Sequence, residues 1–163
     1  MKHLILLRHG KTEAHHADGD FARALTDRGV KDSERMGRLI KGAIGKMDLV
    51  VSSPAVRGAQ TARIVAKEIG YEGKIDWRPE IYGASLDVLL DIVRELPEGV
   101  MTALLVGHNP GFEVFVEALT QTELPDGHLP TAGLAHVTFE APWSESALGL
   151  GTLAASYAPG SLR

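Results

Sequence analysis

The sequence predicts an α/β fold: a three-layer α/β/α sandwich whose central sheet is mostly parallel and has an antiparallel portion. Short apolar runs alternate with segments of helical periodicity through most of the chain, which is typical of parallel strands joined by helices. Glycine, proline or serine stands where one periodicity gives way to the other, as expected at the ends of elements. Near the C-terminus two apolar segments follow one another with no helix between them, which predicts the antiparallel portion.

Length and composition narrow the classes of protein to consider. The 163 residues fit a single domain, residues 1–163, with a core large enough to need no cross-link. Cysteine is absent, which excludes disulfides, thiolate nucleophiles and cysteine zinc sites. A formal net charge of -4 without any basic block argues against nucleic acid as a partner. The N-terminal apolar run is too short to span a bilayer, so we expect a cytoplasmic protein with no membrane partner.

The first strand and the first helix are predicted from the N-terminal 45 residues. Residues 4–7 are an apolar run, read as a buried strand that ends at Arg8 and His9. Thr26 is the expected N-cap of a helix whose apolar positions recur at helical spacing. Gly42 and Gly45 mark the end of that helix.

The middle of the chain continues the alternation. A second strand is predicted over residues 48–51, followed by a helix that begins at Ser52-Ser53-Pro54, because proline suits the first helical turn. Gly70 is expected to stop this helix. Residues 86–96 predict a third helix, which Pro97 closes.

The last third of the chain supplies the remaining elements. Residues 102–106 predict a third buried strand, and a turn through Gly107 and His108 leads into a helix over about residues 112–119. Residues 134–139 and 153–157 are predicted to be the two late strands.

Three of the predicted strand ends carry side chains suited to phosphate chemistry. Arg8 and His9 end the first strand, Arg57 lies one turn into the helix after the second, and His108 follows the third. Because ligands of open α/β sheets bind outside the carboxyl ends of the strands, we expect these side chains to converge. Guanidinium groups pair bidentately with phosphate, and a histidine can act as a nucleophile. Gly10 is expected to let the backbone approach a ligand closely.

The motifs at these strand ends resemble the signature blocks of the histidine phosphatase superfamily, the phosphoglycerate-mutase-like enzymes. The RHG signature is matched by residues 7–12, LRHGKT, and the SSP-x-x-R-x-x-QTA block by residues 51–62, VSSPAVRGAQTA. The distal-histidine block is matched by residues 105–110, LVGHNP, in the same order along the chain. The short chain and residues 23–29, RALTDRG, are similar to the SixA-type phosphohistidine phosphatase branch. The resemblance implies the phosphoglycerate mutase-like fold.

The resemblance also implies roles for the strand-end residues. His9 corresponds to the nucleophile that becomes phosphohistidine, Arg8 and Arg57 to the phosphate clamp, and His108 to the second pocket histidine. Flanking guanidinium groups favour the neutral form of His9 that attack requires. Because such a cage supplies its positive charge from side chains, no cofactor and no metal are expected.

Two further basic residues are candidates for substrate binding. Arg23 precedes the first helix and is able to reach the phosphate or the substrate, and Lys11 adds positive charge beside the RHG signature. A surface arginine and a solvated loop lysine are the alternative interpretations.

One departure from the superfamily concerns the general acid. Many of its phosphomonoesterases have a glutamate, in an L-x-E pattern, that protonates the leaving oxygen. Here that position falls on Gly83, and Glu80 lies nearby on what we expect to be the wrong side of the strand end. SixA-type proteins are similar in lacking this acid. Imidazole, with an ordinary pKa of about 6.5, leaves more easily than an alkoxide, so a phosphohistidine substrate needs less help from an acid. The general acid of this site is therefore either Glu80 or absent.

The predicted function is a metal-independent phosphatase that acts through a phosphohistidine on His9. Its expected partner is a phosphorylated substrate, a phosphohistidine-containing protein. A phosphomonoesterase for small metabolites is the alternative within the same class, which the missing acid disfavours. A phospho-binding regulatory module without turnover is the alternative from another class, and the full set of pocket residues counts against it.

Overall fold

The computed structural model describes residues 1–162 of the chain. Within this range, the strands are β1 (Lys2–Arg8), β2 (Leu49–Ser52), β3 (Ile75–Trp77), β4 (Thr102–Gly107), β5 (Leu134–Phe139) and β6 (Thr152–Tyr157). The α-helices of the same range are α1 (Asp27–Leu39), α2 (Val56–Glu68), α3 (Leu86–Arg94) and α4 (Gly111–Thr120).

All the strands belong to one sheet, in the order β3-β2-β4-β1-β5-β6. The first four strands in this order run parallel, whereas β5 is antiparallel to β1 and β6 is antiparallel to β5. This arrangement confirms the predicted mostly parallel sheet with an antiparallel portion. In the register, Arg8 lies opposite Gly107 and Ser52 lies opposite Val106. The carboxyl ends of β1, β4 and β2 therefore meet at one edge of the sheet.

Helices cover both faces of the sheet, which confirms the three-layer sandwich. On one face, Met36 of α1 and Val65 of α2 are buried against strand residues such as Ile5. On the other face, helices α3 and α4 bury their apolar sides against the alternate strand residues, Leu4 among them. Successive strand residues point to opposite faces, so one apolar run supplies both cores.

The first helix begins and ends much as predicted. The Thr26 side chain accepts a hydrogen bond from the backbone N–H of Gly29, which makes Thr26 the N-cap of α1. A π-helical turn, Ile40–Ile44, extends the helix as far as Gly45, whose φ of 107° suits glycine. None of the helices within residues 1–162 is both long and apolar enough to cross a membrane.

One prediction about the middle of the chain is wrong, and one strand is missing from the prediction. Helix α2 begins at Val56 and not at Ser52-Ser53-Pro54, because Ala55 has an extended ψ of 142° and serves as the N-cap. Arg57 is consequently the second residue of the helix and lies at its very start. Strand β3 is absent from the prediction, because its three residues at the edge of the sheet are too few to show an alternation.

Gly10 is required by its close packing against helix α1. A Cβ atom on Gly10 would lie 2.7 Å from the carbonyl oxygen of Gly29. A Cβ on Gly29 would in turn lie 2.1 Å from the carbonyl oxygen of Lys11. The two glycines thus let the loop after β1 pack directly on the first turn of α1, and the close approach of Gly10 to a ligand stays a prediction.

Candidate active site

The predicted site residues come together at the carboxyl edge of the sheet. His9 follows β1, His108 follows β4, and Arg57 begins the helix that follows β2. The rings of His9 and His108 are 5.2 Å apart between centroids. All three side chains are buried, with exposed fractions of 6 to 8%. A cluster of cationic and imidazole groups buried at a sheet edge is an arrangement suited to an anion.

His9 is held as a neutral imidazole with one nitrogen free. Its Nδ1 lies 2.7 Å from the carbonyl oxygen of Gly10. Because a carbonyl oxygen can only accept, Nδ1 carries the proton and Nε2 keeps its lone pair. The pKa of His9 is lowered from 6.5 to about 4, first by burial and then by the charges of Arg57, Arg8 and Arg23, against the opposing effect of the Gly10 hydrogen bond. A neutral ring with a free Nε2 is the state that a nucleophile needs.

His108 presents its other nitrogen to the site. Its Nε2 lies 2.7 Å from the Ser53 hydroxyl oxygen. That oxygen already accepts a hydrogen bond from the backbone N–H of Ala55, at 3.2 Å, so its own proton is free to be donated to Nε2. His108 then carries its proton on Nδ1, which is buried and has no hydrogen-bond partner within the described residues.

Burial also keeps His108 uncharged. It lowers the pKa of His108 from 6.5 to about 3, with the proximity of His9 and Arg57 acting in the same direction. Asp20 opposes this effect with its negative charge. The ring is therefore a neutral hydrogen-bond donor and adds no charge to the site.

The two arginines that are predicted to clamp phosphate are fixed by hydrogen bonds from their Nη atoms. Arg8 donates from Nη1 to the carbonyl oxygen of Leu129 at 3.1 Å. Arg57 donates from Nη1 to the carbonyl oxygen of Asp20 at 2.8 Å and from Nη2 to the Asp20 carboxylate at 3.0 Å. In both arginines the Nε atom is buried and lacks a partner within residues 1–162.

Three buried donors are thus left unpaired around His9: Nε of Arg8, Nε of Arg57 and Nδ1 of His108. Buried polar groups in proteins are nearly always hydrogen-bonded, so unpaired ones call for an explanation. A phosphoryl group in transfer spreads charge over three equatorial oxygens, which need donors of this kind. We refer to these three atoms together as the donor cage.

The structure separates the two other predicted substrate-binding residues. Arg23 lies beside the cage, donating to Asp20 at 2.9 Å and to the Thr12 hydroxyl at 2.6 Å, and its charge acts on His9. Lys11 is exposed, and its side chain makes no hydrogen bond or ion pair within the part of the chain that is described. A role for either residue in binding substrate stays a prediction.

Glu80 is held in an ion pair by Arg78. The two Glu80 carboxylate oxygens each lie 3.2 Å from Arg78, which also pairs with Glu95 at 2.8 Å. The hydrogen bond from Arg78 lowers the pKa of Glu80 and so favours the ionised form. Gly83 has a φ of 69° and open space where a side chain would stand. Position 83 therefore offers no acid, and Glu80 has the wrong protonation state for one.

A cleft of about 530 Å³ opens beside the cage. Arg57 and His108 form its polar end. The rest of the cleft lies between residues 81–89 and the start of α4 and is mostly apolar, with Ile81, Leu86, Leu89, Phe112 and Val114 among the lining residues. The cleft provides room for the part of a substrate that extends beyond its phosphoryl group.

Two residues of the site, Asp20 and Tyr82, and the contact of Ser53 with His108 are absent from the sequence prediction. Tyr82 packs the edge of its ring against His108, with 5.5 Å between centroids, and its hydroxyl donates to Asp20. The sequence places Ser53 only at the start of the predicted second helix, whereas its hydroxyl also contacts His108. Two features of the sequence point to these residues: Ser53 follows a predicted strand, and Tyr82 lies next to Gly83.

The pKa values of the two histidines lead to a direct test. Because burial penalises the protonated rings, His9 and His108 are expected to stay neutral until the pH falls to about 4 and about 3. Their ring carbon–proton NMR signals, assigned with His9→Ala and His108→Ala, should show no titration step between pH 8 and 5. A midpoint near 6.5 for either ring would contradict the buried arrangement.

Within residues 1–162, no three His, Asp or Glu side chains are grouped in a way that would hold a metal ion. The cationic and neutral donors of the cage suit an anion instead, since metal ions require lone pairs from their ligands.

Comparisons with known proteins show similarities in sequence and in fold. The family model of the histidine phosphatase superfamily (branch 1) matches residues 4–81. The structure of the protein histidine phosphatase SixA complexed with tungstate has a TM-score of 0.86 and 26% identity, covering 99% of each chain. A putative phosphohistidine phosphatase SixA from Agrobacterium tumefaciens has a TM-score of 0.81 and 28% identity, covering 97% of this chain and 99% of that one.

A shorter similarity extends to a curated eukaryotic protein. The mitochondrial serine/threonine-protein phosphatase Pgam5 of Drosophila melanogaster is 38% identical over 71 residues. The matched segment is 44% of this chain and 24% of that protein.

Proposed function

This chain belongs to the histidine phosphatase superfamily and is a phosphatase, and we propose that it hydrolyses protein phosphohistidine through a covalent phosphohistidine on His9. The observation that carries the proposal is the set of three unpaired buried donors around a neutral histidine whose Nε2 is free. The similarity to SixA-type structures over nearly the whole chain supports the substrate class.

The first chemical step would transfer the phosphoryl group to His9. Nε2 of His9 attacks phosphorus, and the bond from phosphorus to the substrate nitrogen breaks. The leaving ring, protonated on its other nitrogen, departs as neutral imidazole, so the bridging nitrogen needs no proton from the enzyme. The Nδ1 proton of His9 stays in its hydrogen bond to Gly10.

The second step would return His9 to its resting state. A water molecule attacks phosphorus, the bond to Nε2 breaks, and inorganic phosphate and a proton are released. In both steps Arg8, Arg57 and His108 would hold the three equatorial oxygens. Phosphoryl transfer depends mainly on such positioning and charge stabilisation.

Metal independence is part of the proposal. The guanidinium groups of Arg8 and Arg57 already supply the positive charge that a metal ion would otherwise provide. Activity should therefore be unchanged in EDTA. Activity that is lost in EDTA and restored by a divalent ion would contradict this part.

A second candidate is a phosphatase for phosphoserine, phosphothreonine or small metabolites. The similarity to Pgam5 over 71 residues favours it. An alkoxide leaving group needs a proton, however, and neither Gly83 nor the ion-paired Glu80 offers one. The phosphohistidine substrate suits this site better because its leaving group is far less basic.

Single-turnover kinetics on three substrates would test the proposal: a phosphorylated histidine protein, p-nitrophenyl phosphate and phosphoserine. We expect fast turnover of the first, measurable turnover of the second and poor turnover of the third. Efficient hydrolysis of phosphoserine would favour the second candidate. Tight binding without any turnover would show that the protein is a phospho-binding module.

Arg57→Lys tests the clamp in particular. Lysine keeps the positive charge but loses the planar fork and the Nε donor of the cage. We expect kcat/KM to fall roughly 100- to 1,000-fold, the usual loss when one fixed donor is removed. Arg63→Lys on the same helix, where Arg63 packs over Trp77 at 4.9 Å, is the matched control. Wild-type kinetics in Arg57→Lys would place the phosphoryl group elsewhere.

A further inference from the structure

Asp20 has more polar contacts than its position suggests. It lies in a 3-10 turn, Asp20–Ala22, of the loop between β1 and α1, and its side chain is 51% exposed. One carboxylate oxygen accepts from Arg23, at 2.9 Å. The other accepts from Arg57, at 3.0 Å, and from the Tyr82 hydroxyl. A half-exposed carboxylate that receives three side-chain donors is a fixed element of the site.

The contact with Arg57 determines which edge of the guanidinium faces the cage. Nη1 donates to the Asp20 carbonyl oxygen and Nη2 donates to the Asp20 carboxylate. Asp20 therefore engages both terminal nitrogens of the Arg57 guanidinium. The Nε atom is left buried and unpaired. A guanidinium in this orientation can still receive an oxyanion along its Nε side.

The contact with Tyr82 fixes a ring above the cage. The Tyr82 ring meets His108 edge-on at 86°, and the Arg57 guanidinium carbon lies 5.7 Å from its centroid. Phe21, next to Asp20, also packs edge-on with Tyr82, with 5.1 Å between centroids. The ring thus lies beside two members of the cage and lines the cleft together with them.

We propose that Asp20 is a positioning residue for phosphoryl transfer: it orients Arg57 so that Nε faces the phosphoryl group, and it holds Tyr82 over the cage. This inference rests on the proposed function, because the phosphoryl group of that reaction is the ligand that Arg57 would hold. Asp20 acts through Arg57 and Tyr82, and it touches neither Arg8 nor the unpaired nitrogen of His108.

A competing role for the same contacts is that of an internal anion that occupies the clamp and must be displaced by substrate. The geometry argues against this role, because Asp20 accepts hydrogen bonds from Nη1 and Nη2 of Arg57 and leaves the buried Nε unpaired. The negative charge of Asp20 is also compensated by Arg23, at 2.9 Å. Repulsion of an incoming phosphoryl group is thereby reduced.

The test compares Asp20→Asn with Asp18→Asn. Asparagine keeps the size of the side chain but replaces one accepting oxygen with an N–H₂ group, which can only donate. Because Arg57, Arg23 and Tyr82 all donate to Asp20, some of these contacts are lost. Asp18 lies in the same loop, is 83% exposed and contacts only His16, at 3.8 Å, so its variant is matched in charge change. Tyr82→Phe removes the hydroxyl but leaves the pair between Asp20 and Arg57.

Three measurements follow for each variant: kcat/KM with p-nitrophenyl phosphate, the affinity for tungstate by calorimetry, and the ¹⁵N–¹H signal of the Arg57 Nε group. For Asp20→Asn we expect a loss in kcat/KM of up to about 100-fold, the effect of a small misplacement of a reacting group. Tungstate should bind more weakly, and the Nε signal should broaden or shift. Asp18→Asn should match the wild type in all three measurements.

Two outcomes would overturn the inference. Unchanged kinetics and tungstate affinity in Asp20→Asn would show that Arg57 is oriented without Asp20. Tighter binding of tungstate would show that Asp20 competes with the ligand.

The double variant of Asp20→Asn with Tyr82→Phe adds a further check. Its loss in kcat/KM should be smaller than the product of the two single losses, because both changes break the same contact between Tyr82 and Asp20. If the wild type itself has no turnover, the proposed function fails, while tungstate affinity and the Nε signal still decide the role of Asp20.

Discussion

Replacing His9 with alanine is expected to abolish both turnover and covalent labelling by a phosphorylated substrate. His9 is the only side chain beside the three cage donors that presents a free nitrogen lone pair within the described residues, since His108 carries its proton on the nitrogen facing the cage. Removing the nucleophile of a covalent mechanism leaves only binding and charge stabilisation. Turnover should therefore fall to the detection limit.

The chemical behaviour of the label identifies the residue type. A phosphoramidate on imidazole is labile in acid and stable in base, whereas a serine phosphate survives acid. Wild-type enzyme quenched in base should retain its label, and the same sample brought to low pH should lose it. His15→Ala is the control, because His15 is an exposed histidine of the loop after β1.

The expected result also requires that the variant still folds. His9 is 7% exposed, so its removal leaves a small cavity at the edge of the sheet. Tungstate binding by His9→Ala would show that Arg8, Arg57 and His108 remain in place. Labelling that persists in His9→Ala would place the covalent intermediate on another residue.

Much of this architecture could be predicted because the relevant signals are local. The apolar runs that end at Arg8 and at Gly107 are continuous in sequence, and parallel pairing brings their ends together without further information. Thr26 caps α1 through a hydrogen bond to Gly29, three residues away. Signals of this kind lie within one turn of a helix or one strand, where sequence patterns are most informative.

What could not be predicted depends on contacts between distant loops. Asp20 and Tyr82 are 62 positions apart, and neither lies in a periodic segment. Gly10 and Gly29 face each other because a loop crosses the start of a helix, which no local pattern encodes. The orientation of each guanidinium group is likewise set by hydrogen bonds to residues that are distant in sequence. Arg8, for example, donates to the carbonyl oxygen of Leu129.

The rate of the reaction is expected to depend steeply on the basicity of the leaving group. Position 83 has no side chain, and Glu80 is ionised, 44% exposed and paired with Arg78. Neither of these two positions then supplies an acid to protonate a departing alkoxide. Phosphohistidine and p-nitrophenyl phosphate should therefore turn over, whereas phosphoserine should be slower by roughly 100- to 10,000-fold, the usual contribution of general acid catalysis.

Glu80→Gln decides whether the ion-paired carboxylate takes part. It removes the ionisable group and keeps the size of the side chain, so the ratio of rates for p-nitrophenyl phosphate and phosphoserine should stay the same. Glu95→Gln is the matched control, because Glu95 shares the same partner, Arg78, at 2.8 Å. If Glu80→Gln alone lowered the rate on phosphoserine, Glu80 would be the acid after all. The substrate class would then shift towards phosphomonoesters, since an enzyme with a working acid gains most on its poorest leaving groups.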